Sequence, residues 1–156
     1  GAGGWNNEVE LEKIQEAKEN GFRIINPKRF VLDEDMPALF TGAQFFVSTP
    51  IYEGFGMTPL EAMACGTPAL VSNVASVPEA VGDSGVYVDP FDTNSIKEGL
   101  LEMVQKTEQD RGQFDSRIKA HLDSLSWRPS AEVTAAALTG VSVEYFRKED
   151  VDGNRD

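Results

Sequence analysis

Short apolar runs alternate with helix-like apolar stripes along the chain, and their order predicts an α/β fold. Continuous apolar runs at Phe45–Val47, Ala69–Val71 and Val86–Val88 are typical of strands buried on both faces of a sheet. A further run, Phe22–Asn26, is closed by Pro27 and also predicts a strand. Because helical segments separate these runs, we expect a Rossmann-like, doubly wound layer built on a parallel sheet.

Helical spacing of apolar residues predicts the segments between and after the strands. Four helices are expected at about 7–21, 35–42, 59–65 and 78–81. Three more should follow the last strand: one with Ile96, Leu100, Met103 and Val104 on its apolar face, one with Phe114, Ile118, Leu122 and Leu125, and one at Pro129–Leu138. Trp127 is expected to anchor the last of these helices in a cleft.

A length of 156 residues predicts one domain with short additions at its C-terminal end. Residues 1–128 carry the α/β pattern, 129–147 form a C-terminal helix and extension, and 148–156 form an acidic tail expected to be disordered. The tail faintly resembles the start of a calcium loop, but Arg155 stands where that loop requires glycine. We therefore expect no calcium site there.

The charge of the chain argues against two classes of partner. It has 14 Lys and Arg against 26 Asp and Glu, a net charge of −12, which disfavours nucleic acid and anionic membrane surfaces. No stretch approaches eighteen apolar residues, so no membrane-spanning segment is expected. The first residues have neither the basic region nor the apolar core of a signal peptide, and we expect a cytoplasmic protein.

The chain has one cysteine and one histidine, which restricts its chemistry. A lone Cys65 excludes an internal disulfide and a thiolate zinc site, and a lone His121 excludes any site that needs two imidazoles. Cys65 is interpreted as a small buried hydrophobe. His121 flanks the apolar stripe of its helix and is interpreted as a structural or surface residue.

The loop after the Phe45–Val47 run, from Ser48 to Glu61, carries the densest chemistry in the chain. In parallel sheets, ligands bind beyond the carboxyl ends of the strands, where this loop should lie. Gly54 and Gly56 let the backbone approach a ligand closely or adopt positive φ. A helix follows at once, and its free N–H groups could hold a diphosphate without a metal.

Two carboxylates, Glu53 and Glu61, flank this glycine turn and are expected to face one crevice. One could accept the hydroxyls of a ribose, and the other could orient a sugar or stabilise an oxocarbenium-like centre. A structural interpretation stays open for each. With Thr58 as N-cap and Pro59 at the first helical position, Glu61 would close a capping box. In the structural interpretation of Glu53, its side chain is an exposed loop carboxylate without a ligand.

The residues of this loop resemble the E-x7-E signature of family 4 retaining glycosyltransferases. Here the signature is Glu53-Gly-Phe-Gly-Met-Thr-Pro-Leu-Glu61, followed by Ala-Met-Ala-Cys-Gly-Thr-Pro. The stretches 35–43, 71–83 and 85–90 also resemble the family, and the similarity runs to about residue 128. The resemblance implies a GT-B enzyme with two Rossmann-like domains, of which this chain is the C-terminal, donor-binding half.

The family resemblance implies a role for each matching residue. Glu53 would be the catalytic residue, contacting the donor sugar and supporting transfer at the anomeric carbon, and Glu61 would bind the ribose of a nucleotide-diphosphate sugar. The backbone around Gly56, Met57 and Thr58 would hold the distal phosphate, Gly54 and Phe55 would also bind the donor, and Phe30 and Val31 would lie near the base. The resemblance also implies retention of anomeric configuration, no cofactor and no obligatory metal.

The chain departs from the family pattern in two respects. The family's donor domain opens with a strand and helix that carry an Arg…Lys pair against the diphosphate, and this chain begins after that unit. Lys28 and Arg29 are the nearest basic residues and do not match the motif. The acceptor domain is missing too, so we expect that domain as the partner and no transfer by this chain alone.

Two rival functions remain open at this point. One is a non-catalytic nucleotide- or glycan-binding module, or one subunit of a split transferase, which gene context would separate. The other is a different GT-B activity, an epimerase or a phosphorylase; the E-x7-E spacing disfavours the first, and no cofactor-lysine motif supports the second. The stretch 72–82 resembles mannosyltransferases, although the sequence does not identify the base, the sugar or the acceptor.

Overall fold

The computed structural model describes residues 7–27, 31–109, 111–140 and 142. The helices are α1 (Glu8–Glu19), α2 (Met36–Gly42), α3 (Met57–Ala64), α4 (Val77–Val81), α5 (Thr93–Gln109), α6 (Arg111–Ser124) and α7 (Trp127–Thr139). The strands are β1 (Phe46–Ser48), β2 (Ala69–Ser72) and β3 (Val86–Val88), and a short 3₁₀ turn, Gly82–Ser84, precedes β3. Strands and helices alternate as predicted from β1 to α5. Phe30, the side chain of Phe114 and the predicted tail 148–156 lie outside the described residues.

The three strands form one parallel sheet in the order β1-β2-β3. Leu70 of β2 lies opposite Val47 on one side and Val86 on the other, which fixes the register. All four residues of β2 are buried, as expected of a central strand. The prediction that β1 is buried on both faces is wrong, since Val47 is 42% exposed. An apolar run alone does not reveal that β1 lies at the edge of the described sheet.

The predicted strand at Phe22–Asn26 is also wrong. These residues have no regular structure, and Phe22 and Ile25 are 67% and 78% exposed. A strand requires a neighbouring strand that forms hydrogen bonds with its backbone N–H and C=O groups. An apolar run in the sequence does not show whether such a neighbour exists. No described strand pairs with this segment, so its hydrophobic residues remain outside the core.

The core lies where α3, α4, α5 and α6 pack on β2 and β3. Its fully buried large side chains include Met63, Leu70, Val71, Val77, Val81 and Met103, and Ile118 of α6 is nearly as buried. The predicted apolar faces of α5 and α6 are confirmed at Met103 and Ile118. They are wrong at Val104, which is 39% exposed, and at Leu125, which lies beyond the end of α6 and is equally exposed. Trp127 is 82% exposed, so its predicted anchoring role is wrong.

The lone histidine holds α6 against α4. His121 Nε2 lies 2.7 Å from the carbonyl oxygen of Ala80, which confirms a structural role for this ring. Nearby, the Tyr87 hydroxyl donates to the carbonyl of Gly82 at 2.5 Å. Burial, and next the negative charge of Asp83, raises the pKa of Tyr87, so this donor stays protonated at neutral pH. Cys65 is half-buried rather than buried, as the residue that ends α3.

Candidate functional site

The loops that follow β1, β2 and β3 lie at one edge of the sheet, because parallel strands present their carboxyl ends on the same side. These loops are 49–56, 73–76 and 89–92. Beyond β2 and β3, this edge carries a depression of about 400 Å³ lined by Asn73, Val74, Tyr87, Val88, Asp89 and Phe91. The predicted site residues 53–58 belong to the first of the three loops and the helix start that follows it.

Two serine hydroxyls connect the first loop to the end of β2 and to the segment that follows it. Ser72 Oγ donates to the carbonyl of Pro50 at 2.7 Å. Ser76 Oγ lies 2.6 Å from the carbonyl oxygen of Gly54 and 3.2 Å from that of Glu53. Neither serine was predicted from the sequence to have a role. The only local signal for Ser72 is its position directly after a buried apolar run.

Gly56 forms the turn into α3. It is buried, lies in the left-handed region at φ +95° and ψ +44°, and is the N-cap of the helix. The predicted positive φ is therefore confirmed at Gly56, whereas Gly54 does not adopt it. No side chain caps the helix, so the first amides of α3, those of Met57 and Thr58, lack helical acceptors and point toward the ligand edge.

The structure overturns the capping-box interpretation of Glu61. Because Gly56 turns the chain, α3 begins at Met57, two residues earlier than predicted, and Thr58 is already inside the helix. Pro59 is then the third helical residue and Glu61 the fifth, too far from the N-cap to close a capping box. Glu61 has no capping role.

The side chain of Glu61 lies on the solvent-exposed face of α3. The opposite face carries Pro59, Ala62 and Met63, all buried against the core. Met57, one turn before Glu61, is 50% exposed and shares its face at the i, i+4 spacing. Within the described part of the chain, the Glu61 carboxylate makes no hydrogen bond or ion pair. It is therefore available to a ligand.

Glu53 is half-buried at the base of the glycine turn rather than an idle exposed carboxylate. Its Oε1 accepts a hydrogen bond from the backbone N–H of Gly54 at 2.9 Å. Among the described residues, Oε2 has no partner. One carboxylate oxygen thus fixes the side chain against the loop while the other stays available.

The other predicted site residues differ in how the structure places them. Phe55 is 42% exposed and Thr58 is exposed, so both can be reached by a ligand at the loop. Val31 is half-buried in the segment before α2, and no described hydrogen bond links it to the loop. Residues 53–56 form the glycine turn and Met57 and Thr58 the start of α3, while the placement of the base near Val31 stays a prediction.

In 7–27, 31–109, 111–140 and 142, no three His, Cys, Asp or Glu side chains come close enough to hold a metal ion. Over the same ranges, no helix is both long and apolar enough to cross a membrane.

Replacing Gly56 by alanine should lower the free energy of unfolding by about 1–3 kcal/mol. A Cβ there would meet Ala80 Cβ at 3.6 Å, an ordinary contact, so the cost comes from the positive φ and not from a clash. The measurement is urea denaturation followed by circular dichroism. Gly54→Ala is the control in the same loop, because its φ is not positive and its Cβ would meet nothing within 4 Å. Equal losses in both variants would contradict this account.

These features define a Rossmann-like α/β domain with a glycine turn and two carboxylates that have available oxygens at the ligand edge of its sheet. The family model described as glycosyl transferases group 1 matches residues 2–120. The chain belongs to this family, and the glycosyltransferase resemblance found in the sequence is confirmed.

Several curated proteins are similar to this chain. The O-antigen chain mannosyltransferase B of Escherichia coli is 41% identical over 102 residues, covering 65% of this chain and 26% of that protein. The mannosylfructose-phosphate synthase of Agrobacterium fabrum is 34% identical over 115 residues, covering 71% and 25%. The MMP alpha-(1->4)-mannosyltransferase of Mycolicibacterium hassiacum is 27% identical over 143 residues, covering 83% and 35%. The chain thus spans only 25% to 35% of the length of these three relatives.

Proposed function

We propose that this chain is the donor-binding part of a retaining glycosyltransferase that uses a nucleotide-diphosphate sugar. The observation that carries the proposal is the arrangement around α3. An uncapped helix N-terminus lies between a carboxylate fixed at the base of the loop and a second carboxylate that has no structural partner. Membership of the glycosyl transferases group 1 family supports the reaction class.

The proposed donor lies along the loop with its three parts on three features. The diphosphate faces the first amides of α3, which donate to its oxygens and carry the positive end of the helix dipole. The ribose hydroxyls donate to the exposed carboxylate of Glu61, and the sugar contacts Oε2 of Glu53. With a net charge of −12, the chain offers the phosphates backbone N–H groups rather than an excess of cations.

The sugar we propose is mannose. Two of the three relatives described above are named as mannosyltransferases, and the third is named for a mannosyl product. Glu53 would stabilise positive charge that develops at the anomeric carbon during transfer, for which a carboxylate with one fixed and one available oxygen is suited.

Transfer also needs an acceptor site, which we propose is supplied by a separate acceptor domain. We therefore expect this chain to bind donor and to transfer nothing alone. Independence from metal ions and cofactors stays part of the proposal, as does the cytoplasmic location expected from the sequence.

A ligand panel tests the donor site directly. Thermal shifts of the chain are measured with GDP, UDP, ADP and their sugar conjugates, since a ligand that binds only the folded state raises Tm. We expect a shift for one base, larger when mannose is attached. Absence of a shift with every member of the panel at millimolar concentration would contradict donor binding by this chain.

Replacing Glu61 by alanine should weaken nucleotide affinity by about 10- to 100-fold, since hydrogen bonds to a charged group contribute about 1.5–3 kcal/mol. The side chain is exposed and unpartnered, so the fold should be unaffected. Isothermal titration calorimetry with the selected nucleotide measures the loss. Glu98→Ala, an exposed glutamate of α5, is the matched control. Unchanged affinity in Glu61→Ala would exclude the ribose role.

A further inference from the structure

We propose that Ser76 is a positioning residue for the donor sugar, acting through the Glu53–Gly54 segment. The inference rests on the proposed function and extends it to a residue outside the signature loop. Ser76 Oγ lies 2.6 Å from the carbonyl oxygen of Gly54 and 3.2 Å from that of Glu53. A hydroxyl has one proton, so the bond to Gly54 is the principal one, with Glu53 sharing it at longer range.

The Ser76 hydroxyl is turned away from its usual local role. Ser76 is the N-cap residue of α4, where a serine oxygen ordinarily accepts from an amide in the first helical turn. Here the side chain makes no capping bond and donates across to the loop. The N-terminus of α4 is therefore left without a side-chain cap. The Ser76 hydroxyl instead forms a tether, a hydrogen bond from the N-cap of α4 to the Glu53–Gly54 segment.

The backbone that presents Ser76 is strained. Ala75 has a φ of +48°, the only positive φ at a non-glycine residue in the described chain. An alanine in the left-handed region is disfavoured by contact between its Cβ and the backbone, and such strain persists only where the surroundings enforce it. Immediately afterwards, Val77 and Ala80 are fully buried, so the serine projects from a rigid base.

The tether acts on the sugar end of the donor. Gly54 donates its N–H to Glu53 Oε1, so the Glu53–Gly54 segment that carries the two tethered carbonyls also fixes the carboxylate. Without the Ser76 hydroxyl, the backbone of Gly54 can adopt more conformations. The direction of Glu53 Oε2 is then no longer fixed. Glu61 and the first amides of α3 lie beyond Gly56, whose turn packs near Val77 and Ala80 without using Ser76. The nucleotide part of the donor is therefore held independently.

The test compares a nucleotide with its sugar conjugate. Affinities of GDP and GDP-mannose are measured by calorimetry for the wild-type chain, Ser76→Ala, Ser76→Thr and Ser84→Ala. Order parameters of the Gly54 and Phe55 amides are measured by NMR on the same proteins. Ser84 is the matched control, because its hydroxyl also donates to a backbone carbonyl, that of Arg117 at 3.1 Å, on the α6 side of the fold.

In Ser76→Ala we expect GDP-mannose affinity to fall about three- to tenfold, in line with the loss of one hydrogen bond, while GDP affinity stays constant. The order parameter at Gly54 should fall from about 0.85 toward 0.6. Ser76→Thr, which keeps the hydroxyl, should restore both readouts, and Ser84→Ala should change neither. An equal loss of affinity for GDP and GDP-mannose, or an unchanged order parameter at Gly54, would overturn the inference. If the wild-type chain binds neither ligand, the donor proposal fails for this base, and the order parameters decide the role of Ser76.

Discussion

Leu70→Ala is expected to lower the free energy of unfolding by about 3–5 kcal/mol, the largest single-residue effect we predict. Leu70 is fully buried in the central strand β2, paired with Val47 on one side and Val86 on the other. Removing the branched end of the side chain leaves a cavity. β2 cannot move to close it, because this strand is hydrogen-bonded to β1 on one side and to β3 on the other. Urea denaturation monitored by circular dichroism measures the loss, with the slope of the transition checked for two-state behaviour.

Leu138→Ala is the matched control for this prediction. It removes the same atoms from a side chain that is 83% exposed on α7. Its expected effect is within about 0.5 kcal/mol. A loss below about 1.5 kcal/mol for Leu70→Ala, or comparable losses in both variants, would mean that β2 is not the centre of the packed core.

Gly99→Ala is expected to lower the free energy of unfolding by about 2–3 kcal/mol, although alanine is the better helix former by about 1 kcal/mol. Gly99 is buried where α5 crosses the sheet. A Cβ there would clash with Val88 Cγ1 and lie 3.0 Å from Leu70 Cδ1. Val88 is β-branched and cannot easily rotate away, so α5 itself must shift. A loss of stability would therefore show that tertiary packing decides the effect, and a gain would show that helix propensity does.

A double-mutant cycle with Val88→Ala tests the origin of this loss. Without the Val88 methyl groups, the added Cβ meets mainly the more distant Leu70, and the cost of Gly99→Ala should fall by about 1–2 kcal/mol. Chemical denaturation of the four proteins gives the coupling energy. Additive losses would show that the clash with Val88 is not the cause.

The sequence predicts β3 to the residue and β2 to within one residue, and it also predicts α2 and the buried faces of α5 and α6. In these elements the buried face fixes the spacing of the apolar residues, so this spacing in the sequence predicts the element. The prediction fails where a strand depends on its neighbours. Phe22–Asn26 has the apolar pattern of a strand but pairs with no described one, and Val47 lies at an edge of the described sheet, which its apolar run does not reveal.

The candidate site shows the same division. The spacing of Glu53 and Glu61, the glycine turn and the following helix all follow from the sequence, which also leads to the family. The sequence leaves the role of Glu61 open between ligand and cap. The structure removes the cap by beginning α3 at Met57, because Gly56 adopts positive φ one residue before.

The sequence by itself determined the order of the elements from α2 onward, the α/β class, the glycosyltransferase family and the candidate residues for a donor site, because these depend on local periodicity and on signature spacing. Only the tertiary structure decided which strands pair, where α3 begins and which carboxylate oxygens are available. It alone showed that Ser72 and Ser76 hold the loop, across 22 positions from Pro50 and from Gly54. Such bonds join residues far apart in the chain, and their geometry exists only once the sheet has brought the carboxyl ends of β1 and β2 side by side.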